Sequence, residues 1–478
     1  MTTRESTGVP LCVDLDGTLI RTDLLLESFL AHLKIKPWVI FLLPLWIVRG
    51  KAYLKERIAR EVEIDTTVLP YCTTLLTDLR HARANGQLLV LATASHEKYA
   101  KGISDHLGLF HDVMATSGSL NLAGSGKAER LTERFGKGGF DYVGNSTADL
   151  KIWPQARQVI VVNPEFGVLG MVRKLFPSAR VIEDRKPILR TLVRALRLHQ
   201  WLKNILVFVP LVAAHKIGDV SALIEVIAAF LAFGFCASSV YVVNDLLDLE
   251  SDRHHPRKRK RPFASGELSI LTGIVLVPLL LGTAIAISLL WLPGNFLIGL
   301  GTYYAVTTIY SFWAKNRVVV DVLFLAGLYT MRILAGAAAI AVLPSFWLLA
   351  FSMFIFLSLA LVKRYSELLS VLKAGQGKAR GRGYFVEDLP VLQSLGASSG
   401  FLAVLVLALY INSPEVHAQY ANPMALWSLC PMLLFWISRV WFKTQRGEIH
   451  EDPVVFAAKD MVSLLVALIC GVALVVAA

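Results

Sequence analysis

From Ile205 onward, the chain carries recurring apolar stretches of about twenty residues, separated by short polar loops. An α-helix of that length is what crosses the hydrocarbon core of a bilayer. The composition agrees, because 55% of the 478 residues are hydrophobic and only 18% are charged, whereas about a quarter are charged in a soluble domain. The sequence therefore predicts a multi-pass membrane protein.

Nine membrane spans are predicted in this part of the chain, as one all-α bundle. Their ranges are 203–216, 222–243, 270–291, 294–311, 318–339, 345–362, 396–412, 424–441 and 455–477. If the N-terminal region is cytosolic, the cytosolic loops carry nearly all the Lys and Arg residues, and the opposite loops carry only Lys216. We therefore expect an inner-membrane protein with a cytosolic N-terminal domain. The net charge of +12 then reflects topology in part, and no nucleic-acid partner is expected.

The N-terminal region has an ordinary polar composition and contains an acidic motif after a short apolar strand. Pro10–Ile20 reads PLCVDLDGTLI, so Asp14 and Asp16 lie two residues apart directly after the strand. Such a pair suits Mg²⁺-assisted phosphoryl transfer, in which Asp14 attacks phosphorus and Asp16 acts first as an acid and then as a base. An acidic turn without catalytic function is the alternative.

Three later segments could supply the remaining parts of such a site. The segment QLLVLATAS is predicted to form a buried strand that ends in Thr93, and Lys127 lies in GSGKAERL. DYVGNSTAD then places Asn145 and Asp149 after a third strand. The hydroxyl and the ammonium group can hold phosphate oxygens, while the amide and the carboxylate can complete a Mg²⁺ site with the first two aspartates.

In this order and spacing, the motifs resemble those of the haloacid dehalogenase-like (HAD) superfamily over roughly residues 8–180. The resemblance implies a doubly wound α/β fold with a mostly helical cap at 21–85, and phosphatase activity. Asn145 departs from the family pattern, which usually has aspartate there, and the lost charge should weaken Mg²⁺ binding. A non-catalytic phosphate sensor therefore stays an alternative.

Within the expected cap, Pro37–Val48 reads PWVIFLLPLWIV, an apolar segment too short to cross a bilayer. It either packs in the core of the cap or lies on the membrane surface, and its two tryptophans favour the surface. The domain boundaries that we expect are 1–185 for the HAD-like domain, 186–202 for an amphipathic linker and 203–478 for the membrane domain.

A second acidic motif follows the second predicted span. Asn244–Asp252 reads NDLLDLESD, which places Asp245, Asp248 and Asp252 on one face of a helix. Three neighbouring carboxylates repel one another unless a cation lies among them, so the pattern predicts a Mg²⁺ site that binds a diphosphate. The next residues, RHHPRKRKRP, add cations suited to phosphate oxygens. A solvated acidic loop is the alternative.

The pattern NDxxDxxxD resembles the first aspartate motif of the UbiA superfamily of intramembrane prenyltransferases, and the likeness spans roughly 195–478. Most members carry a second motif, DxxxD, but here Asp321 is followed four residues later by Leu325. Arg332 lies three helical turns after Asp321 on the same face. Together with RLHQWLKN, KRKRPFASG and LALVKRYSEL, this pattern resembles the decaprenyl-phosphate phosphoribosyltransferases, which transfer phosphoribose from phosphoribosyl diphosphate to a polyprenyl phosphate.

This resemblance implies a Mg²⁺-dependent enzyme whose partners are a polyprenyl lipid, a phosphorylated sugar donor and the lipid bilayer. The donor diphosphate and Mg²⁺ are expected at Asn244, Asp245, Asp248 and Asp252. The residues expected to bind the other phosphates are Lys203, Asn204, Lys258, Lys260, Arg261, Lys315, Asp321, Arg332, Lys363 and Arg364. A second copy of the chain, in a homo-oligomer, is a further candidate partner.

The fusion predicts a coupled reaction, in which the phosphatase removes the 5-phosphate left on the lipid-linked sugar. An aromatic prenyltransferase that uses a polyprenyl diphosphate is the main alternative. Leu325 and the excess of cations count against it.

Overall fold

A computed structural model describes residues 8–117, 122–184, 186–375, 377–378, 382–449 and 452–477. Their internal contacts divide the chain into two compact units. One unit comprises the chain up to Leu196 together with Tyr241–Val277, and the other comprises Arg197–Val240 and the chain from Pro278 onward. The loop with the second acidic motif therefore belongs to the same unit as the N-terminal domain.

Six parallel strands form the centre of the N-terminal domain, in the order β3-β2-β1-β4-β5-β6. The strands are β1 (Leu11–Val13), β2 (Leu89–His96), β3 (Asp112–Thr116), β4 (Asp141–Gly144), β5 (Val159–Val162) and β6 (Arg180–Ile182). The helices of this region are α1 (Leu24–Ile35), α2 (Leu43–Val48), α3 (Lys51–Glu61), α4 (Thr73–Ala84), α5 (Glu97–Leu107), α6 (Ser125–Phe135), α7 (Val168–Leu175) and α8 (Ile188–Leu196).

Alternate residues of the strands enter two separate apolar cores, as the twofold period of a strand requires. Val13 and Leu91 pack in one core, and Cys12 and Val90 in the other. Because both faces of the sheet are covered, the prediction of an α/β domain with a parallel sheet is confirmed. The order of the strands reverses at β1, and the carboxyl ends of β1 and β4 at such a point form the usual binding crevice.

Between β1 and β2, helices α1 to α3 form an insertion with an apolar cluster of its own, to which Val39 and Trp46 belong. Pro37–Val48 forms a 3₁₀ helix (Pro37–Phe41) followed by α2. Val39 and Trp46 are buried in the cap, but Phe41 and Val48 are 81% and 85% exposed. The cap core thus takes up only a minority of this segment, and contact of its exposed residues with a membrane stays a prediction.

The remaining helices belong largely to the apolar part of the chain. They are α9 (Val209–Ala213), α10 (Val220–Leu247), α11 (Leu249–His254), α12 (Ile270–Trp291), α13 (Gly294–Phe312), α14 (Val320–Ala339), α15 (Phe346–Lys373), α16 (Leu389–Ile411), α17 (Pro414–Gln419), α18 (Leu429–Gln445), α19 (Pro453–Lys459) and α20 (Met461–Ala477). Residues from α14, α15, α16 and α18 share the largest apolar core of the second unit.

In the described part of the chain, six helices are long and apolar enough to cross a membrane, or seven if α19 and α20 form one bent span. The protein is therefore a multi-pass membrane protein, but the count of nine is not confirmed. The span predicted at 203–216 falls in a short apolar helix, Leu198–Ala213. The span predicted at 294–311 falls in α13, whose tyrosine and threonine residues lower its hydropathy.

The last predicted span, 455–477, is bent by 80° between α19 and α20. Asp460 lies at the bend, where its carboxylate accepts a hydrogen bond from the backbone N–H of Ser463 at 2.9 Å. It also accepts hydrogen bonds from both terminal nitrogens of Arg439, at 2.6 and 3.0 Å. Asp460 therefore caps α20 while tied to α18, which accounts for the bend.

Candidate active sites

The first candidate site lies at the carboxyl ends of β1, β2 and β4. Asp14 directly follows β1, is only 7% exposed, and accepts a hydrogen bond from Lys127 Nζ at 2.6 Å. Thr18 Oγ1 lies 3.4 Å from Asp14 Oδ2 and donates a hydrogen bond to Asn145 Oδ1 at 3.2 Å. Three of the residues predicted for this site, Asp14, Lys127 and Asn145, are thus brought together although they come from distant segments.

Asp16 is held by two donors beside the first aspartate. Its Oδ1 accepts the backbone N–H of Leu24 at 2.9 Å, and its Oδ2 accepts Ser95 Oγ at 2.5 Å. The fully buried hydroxyl of Thr93 accepts the backbone N–H of Ser95 at 2.9 Å. Ser95 therefore joins Asp16 to Thr93, and Leu24 ties Asp16 to the first residue of α1.

Asp149 acts through its neighbours. Its Oδ2 accepts the backbone N–H of Asn145 at 3.0 Å, and both the N–H and the hydroxyl of Ser146 at 2.9 Å. Its Oδ1 accepts Tyr142 Oη at 2.9 Å, and Tyr142 in turn accepts Lys127 Nζ at 3.2 Å. These contacts orient Asn145 and Lys127. The role of Asp149 as a direct metal ligand stays a prediction.

The turn after β1 requires glycine because it passes very close to Asn145. Gly17 has a φ of +74°, and a Cβ there would lie 2.3 Å from Asn145 Nδ2. A side chain at this position would therefore be strained by the backbone and would also displace the amide. The DLDGT motif thus places Asn145 as well as the two aspartates.

Burial sets the protonation of both aspartates. Burial raises the pKa of Asp16 to about 7, with a further contribution from the charge of Asp23. Burial also raises the pKa of Asp14, to about 6, although Lys127 opposes the shift. An acid with a pKa near 7 can donate a proton to a leaving oxygen at neutral pH, and a bound cation would favour the ionised forms of both groups.

Sequence reasoning missed Ser95, Tyr142 and Lys55 at this site. Lys55 comes from α3 of the insertion, and its Nζ donates to the carbonyl of Ala94 at 2.6 Å. The serine lies two residues beyond Thr93 in the strand motif, so its position could have suggested a role. Lys55 belongs to no motif, and only the packing of the insertion over β2 reveals it.

The second candidate site lies in the loop after α10. Asp245 and Asp252 are each 2% exposed, and both contact Arg261 Nη1, at 3.1 and 2.6 Å. Asp248, at the junction of α10 and α11, forms an ion pair with Lys34 of α1 at 2.6 Å. The three aspartates predicted on one face thus divide between two cations, one of which sequence reasoning missed.

Carboxylate and amide oxygens are the ligands that Mg²⁺ prefers, so the chemistry of these residues fits that ion. Among the residues that the structure describes, no three His, Cys, Asp or Glu side chains are arranged to hold a metal ion. Arg261 instead lies between Asp245 and Asp252, and it supplies the positive charge that buried carboxylates need. Binding of Mg²⁺ at Asn244, Asp245, Asp248 and Asp252 stays a prediction, and in this structure Arg261 and Lys34 contact the three aspartates.

The acidic loop is anchored to the N-terminal domain by ion pairs, of which the pair between Arg253 and Glu27 is buried and the two formed by Glu267 are exposed on the side of the cation. Arg253 Nη2 lies 3.0 Å from Glu27 Oε2, both side chains are almost fully buried, and Arg253 Nε donates to the carbonyl of Ala264 at 2.9 Å. Glu267 accepts Lys186 at 2.7 Å and Arg194 at 2.6 Å. These partners are far apart in sequence, so no local pattern could have predicted them.

In the second unit, Arg332 lies in a buried aromatic environment. Its Nε donates to Asn204 Oδ1 at 3.1 Å, and its Nη2 donates to Tyr303 Oη at 3.2 Å. The guanidinium also lies 5.4 Å from the centre of the Phe233 ring and 5.3 Å from that of Tyr303. Two of the residues predicted to bind substrate, Arg332 and Asn204, are therefore in direct contact.

Asp321 lies on the same helix, α14, but in a different network. It is fully buried, forms an ion pair with Arg364 Nη2 at 2.6 Å, and accepts Tyr384 Oη at 2.6 Å. Arg364 also contacts Glu367. These partners engage both oxygens of Asp321 within the protein, which favours a structural role for the remaining half of the second acidic motif.

Lys203 and Lys363, both predicted to bind substrate, converge on a carboxylate that sequence reasoning did not select. Their Nζ atoms lie 2.7 and 3.3 Å from Asp452 Oδ2, and Tyr329 Oη donates to the same carboxylate at 2.8 Å. The only sequence signal for Asp452 is its position before Pro453, as the N-cap of α19. That signal indicates a helix start, and it reveals nothing of the two lysines.

The remaining predicted cations lie nearer the surface. Lys258 and Lys260 are exposed on a single 3₁₀ turn. Lys315 is half-buried in a similar turn, and its carbonyl accepts Arg382 Nη1 at 3.3 Å. These three cations are thus more accessible to solvent than Lys203, Arg332 and Arg364.

The architecture defines a class, that of multi-pass membrane proteins with a fused α/β domain and buried clusters of aspartates and cations. The model of the UbiA prenyltransferase family matches residues 205–459, which is more than half of the chain. The chain belongs to that family.

Comparison with known proteins finds two similar sequences and a solved structure with a partial likeness. The chain is 35% identical to the uncharacterized protein y4nM of Sinorhizobium fredii, over 98% of this chain and 91% of that protein. It is 36% identical to the decaprenyl-phosphate phosphoribosyltransferase of Mycolicibacterium smegmatis, over 58% of this chain and 89% of that protein. The structure of a UbiA homolog from Archaeoglobus fulgidus bound to GPP and Mg²⁺ matches with a TM-score of 0.45 and 14% identity, over 60% of this chain and 99% of that one.

Proposed function

We propose that this protein transfers a phosphoribosyl group from phosphoribosyl diphosphate to a polyprenyl phosphate. The observation that carries the proposal is the 36% identity to a decaprenyl-phosphate phosphoribosyltransferase over 89% of that protein. The geometry around Asp321 supports it, because Arg364 and Tyr384 occupy the carboxylate that a prenyl diphosphate site would need for its second metal motif. A donor with three phosphates also suits the many cations of the chain.

In the proposed reaction, Asn244, Asp245, Asp248 and Asp252 would hold Mg²⁺, whose charge would stabilise the diphosphate as leaving group. Arg261 and Lys34 leave their carboxylates as the cation binds, and can then contact phosphate oxygens of the donor. The acceptor phosphate is already ionised and attacks the anomeric carbon without a strong base. Lys203 and Lys363 are candidates for holding that phosphate, since their two ammonium groups converge at Asp452.

We also propose that the N-terminal domain is a HAD-like phosphatase that removes the 5-phosphate from the lipid-linked product. Asp14 attacks phosphorus as the ester oxygen leaves, and Asp16 protonates that oxygen. Asp16 then activates the water that releases phosphate from Asp14. The contact of Lys127 with Asp14 and the raised pKa of Asp16 support these roles. Thr93 and Lys127 would hold the phosphoryl oxygens, with Mg²⁺ at Asp14, Asp16 and Asn145.

The transfer reaction is tested with purified full-length protein, radiolabelled phosphoribosyl diphosphate, a polyprenyl phosphate and Mg²⁺. The expected product is a radiolabelled lipid that partitions into organic solvent. A parallel reaction contains polyprenyl diphosphate and 4-hydroxybenzoate. If the protein prenylates the aromatic acid and ignores phosphoribosyl diphosphate, it is an aromatic prenyltransferase and the proposal is wrong.

A further inference from the structure

A cavity of about 950 Å³ lies within the first unit. Its walls are the segment 67–70, the start and one face of α8, and the loop from Arg253 to Glu267. Six cationic side chains line it, namely Lys186, Arg190, Arg194, Arg253, Arg259 and Lys260. Glu267 is the one acidic residue among the described lining residues. The cavity is therefore strongly basic.

Only part of this charge is balanced within the protein. Glu267 pairs with Lys186 and Arg194, and Glu27 pairs with Arg253. Arg190, Arg259 and Lys260 have no carboxylate partner within the described ranges. Cations gathered around one cavity repel one another unless an anion enters, and guanidinium groups match the oxygens of a phosphate.

The two faces of helix α8 indicate which kind of molecule carries the anion. Its cavity face carries Arg190 and Arg194, one turn apart. Its outer face carries Ile188, Leu189 and Val193, which are 66%, 73% and 43% exposed. A short helix with cations on one side and exposed apolar residues on the other is suited to the headgroup region of a bilayer.

The chain supports this placement, because α8 is followed within two residues by the apolar helix Leu198–Ala213. A soluble phosphate would need only the cations and would give no reason for the apolar outer face. A lipid needs both, since its phosphate requires charge and its chains require an apolar surface.

We propose that this cavity binds the phosphate headgroup of an anionic membrane lipid, whose chains lie against the outer face of α8. The cavity does not include the aspartates of either candidate active site, although Lys260 in its lining is also one of the cations predicted to bind substrate. The proposal does not depend on whether the protein transfers phosphoribose. The lipid can be a polyprenyl monophosphate or a bulk anionic phospholipid, because the two share a phosphate on a hydrocarbon chain.

The test is native mass spectrometry of the full-length protein in detergent, titrated separately with a polyprenyl monophosphate, phosphatidylglycerol, phosphatidylcholine and inorganic phosphate. The variant is Arg190→Glu with Arg259→Glu. The matched control is Arg173→Glu with Lys174→Glu, two exposed cations of α7 outside the cavity, which give the same change of charge. A second variant, Arg190→Gln with Arg259→Gln, removes the two positive charges without adding negative ones. It serves as a check in case the first variant misfolds.

We expect both cavity variants to weaken binding of an anionic lipid about tenfold or more, as loss of charged hydrogen bonds predicts, while the control binds as the wild type does. The tighter of the two anionic lipids identifies the natural ligand. Equal affinity of the Gln variant and the wild type would overturn the proposal. So would phosphatidylcholine binding as tightly as the anionic lipids, or inorganic phosphate occupying the site as tightly as a lipid.

Discussion

Lys34 Nζ lies 2.6 Å from Asp248 Oδ1, so a residue of the α/β domain pairs with an aspartate of the motif that follows α10. Lys34 lies near the end of α1, and Leu24 at the start of the same helix donates its N–H to Asp16. One helix of twelve residues therefore contacts an aspartate of each candidate site. A change of charge at either candidate site therefore acts directly on a residue of α1.

The first prediction concerns this pair. In the proposed reaction a metal ion binds Asp248 in place of Lys34, so Lys34→Ala should tighten Mn²⁺ binding in the absence of donor. We expect about a threefold effect, because the pair is partly exposed. Electron paramagnetic resonance of Mn²⁺ measures it, in an Asp14→Asn background that weakens the other metal site. Lys36→Ala, which breaks a similar pair with Glu61, is the control. Equal Mn²⁺ affinity in Lys34→Ala and its parent would contradict the competition.

The second prediction concerns the metal ligands. Asp245→Asn or Asp248→Asn should lower phosphoribosyl transfer at least about 100-fold by removing charge that holds Mg²⁺. Asp245 is buried against Arg261, so its variant should also be checked for folding by size-exclusion chromatography. Glu250→Gln, an exposed change in the same loop, should leave transfer unchanged. Turnover at the wild-type rate in either aspartate variant would show that this site does not take part in the transfer reaction.

The third prediction joins the two domains. Asp14→Asn should allow transfer but block removal of the 5-phosphate, because an amide is a poor nucleophile for phosphorus. Mass spectrometry of the lipid extract should find the product with its 5-phosphate, whereas the wild type yields the dephosphorylated lipid and inorganic phosphate. Asp105→Asn, on the exposed side of α5, is the control. If wild type and Asp14→Asn accumulate the same phosphorylated lipid, the domain is better explained as a phosphate sensor.

The fourth prediction concerns the departure from the HAD pattern at Asn145. Aspartate has the same shape, can keep the hydrogen bond from Thr18, and restores a negative charge beside Asp14. Asn145→Asp should therefore lower the Mg²⁺ concentration needed for half-maximal phosphatase activity, by several-fold. A titration of phosphate release against Mg²⁺ measures this. An unchanged Mg²⁺ requirement would place the metal away from residue 145.

The fifth prediction concerns stability. Removing one partner of a buried ion pair leaves the other charge uncompensated, at a loss of about 3–5 kcal/mol. Glu27→Ala should therefore lower the thermal unfolding temperature of the purified protein clearly, since Arg253 is 6% exposed. Glu27→Ala with Arg253→Met should recover much of the loss. If the double variant is as unstable as the two single changes combined, the two residues act independently.

The sequence allowed the α/β domain to be predicted well, because its motifs are local. β1 ends next to Asp14 and β4 ends directly before Asn145, as their apolar runs indicated, whereas β2 continues beyond Thr93 to His96. The partners of these residues were harder to predict. Tyr142 lies within the DYVGNSTAD motif itself, but nothing in its spacing indicates a link from Lys127 to Asp149.

In the membrane domain, sequence identified the cations but could not identify their partners. Lys203 and Lys363 were selected from motifs, while Asp452, which contacts both, lies in a segment without a motif. The count of nine spans is left unconfirmed for a physical reason as well. Threonine and tyrosine residues lower the hydropathy of α13, and Asp460 bends the last apolar segment, so apolar length alone was an inexact guide.

Truncating the chain to separate its two parts would break the ion pair between Glu27 and Arg253. A shortened chain that begins after Leu196 would retain Arg253 and Glu267 but lose Glu27, Lys186 and Arg194. The guanidinium of Arg253, which is shielded from water in the whole protein, would then lie beside the acidic motif without its counter-ion. We therefore expect the membrane part to depend on its α/β domain for a properly formed acidic loop, as a subunit depends on an obligate partner.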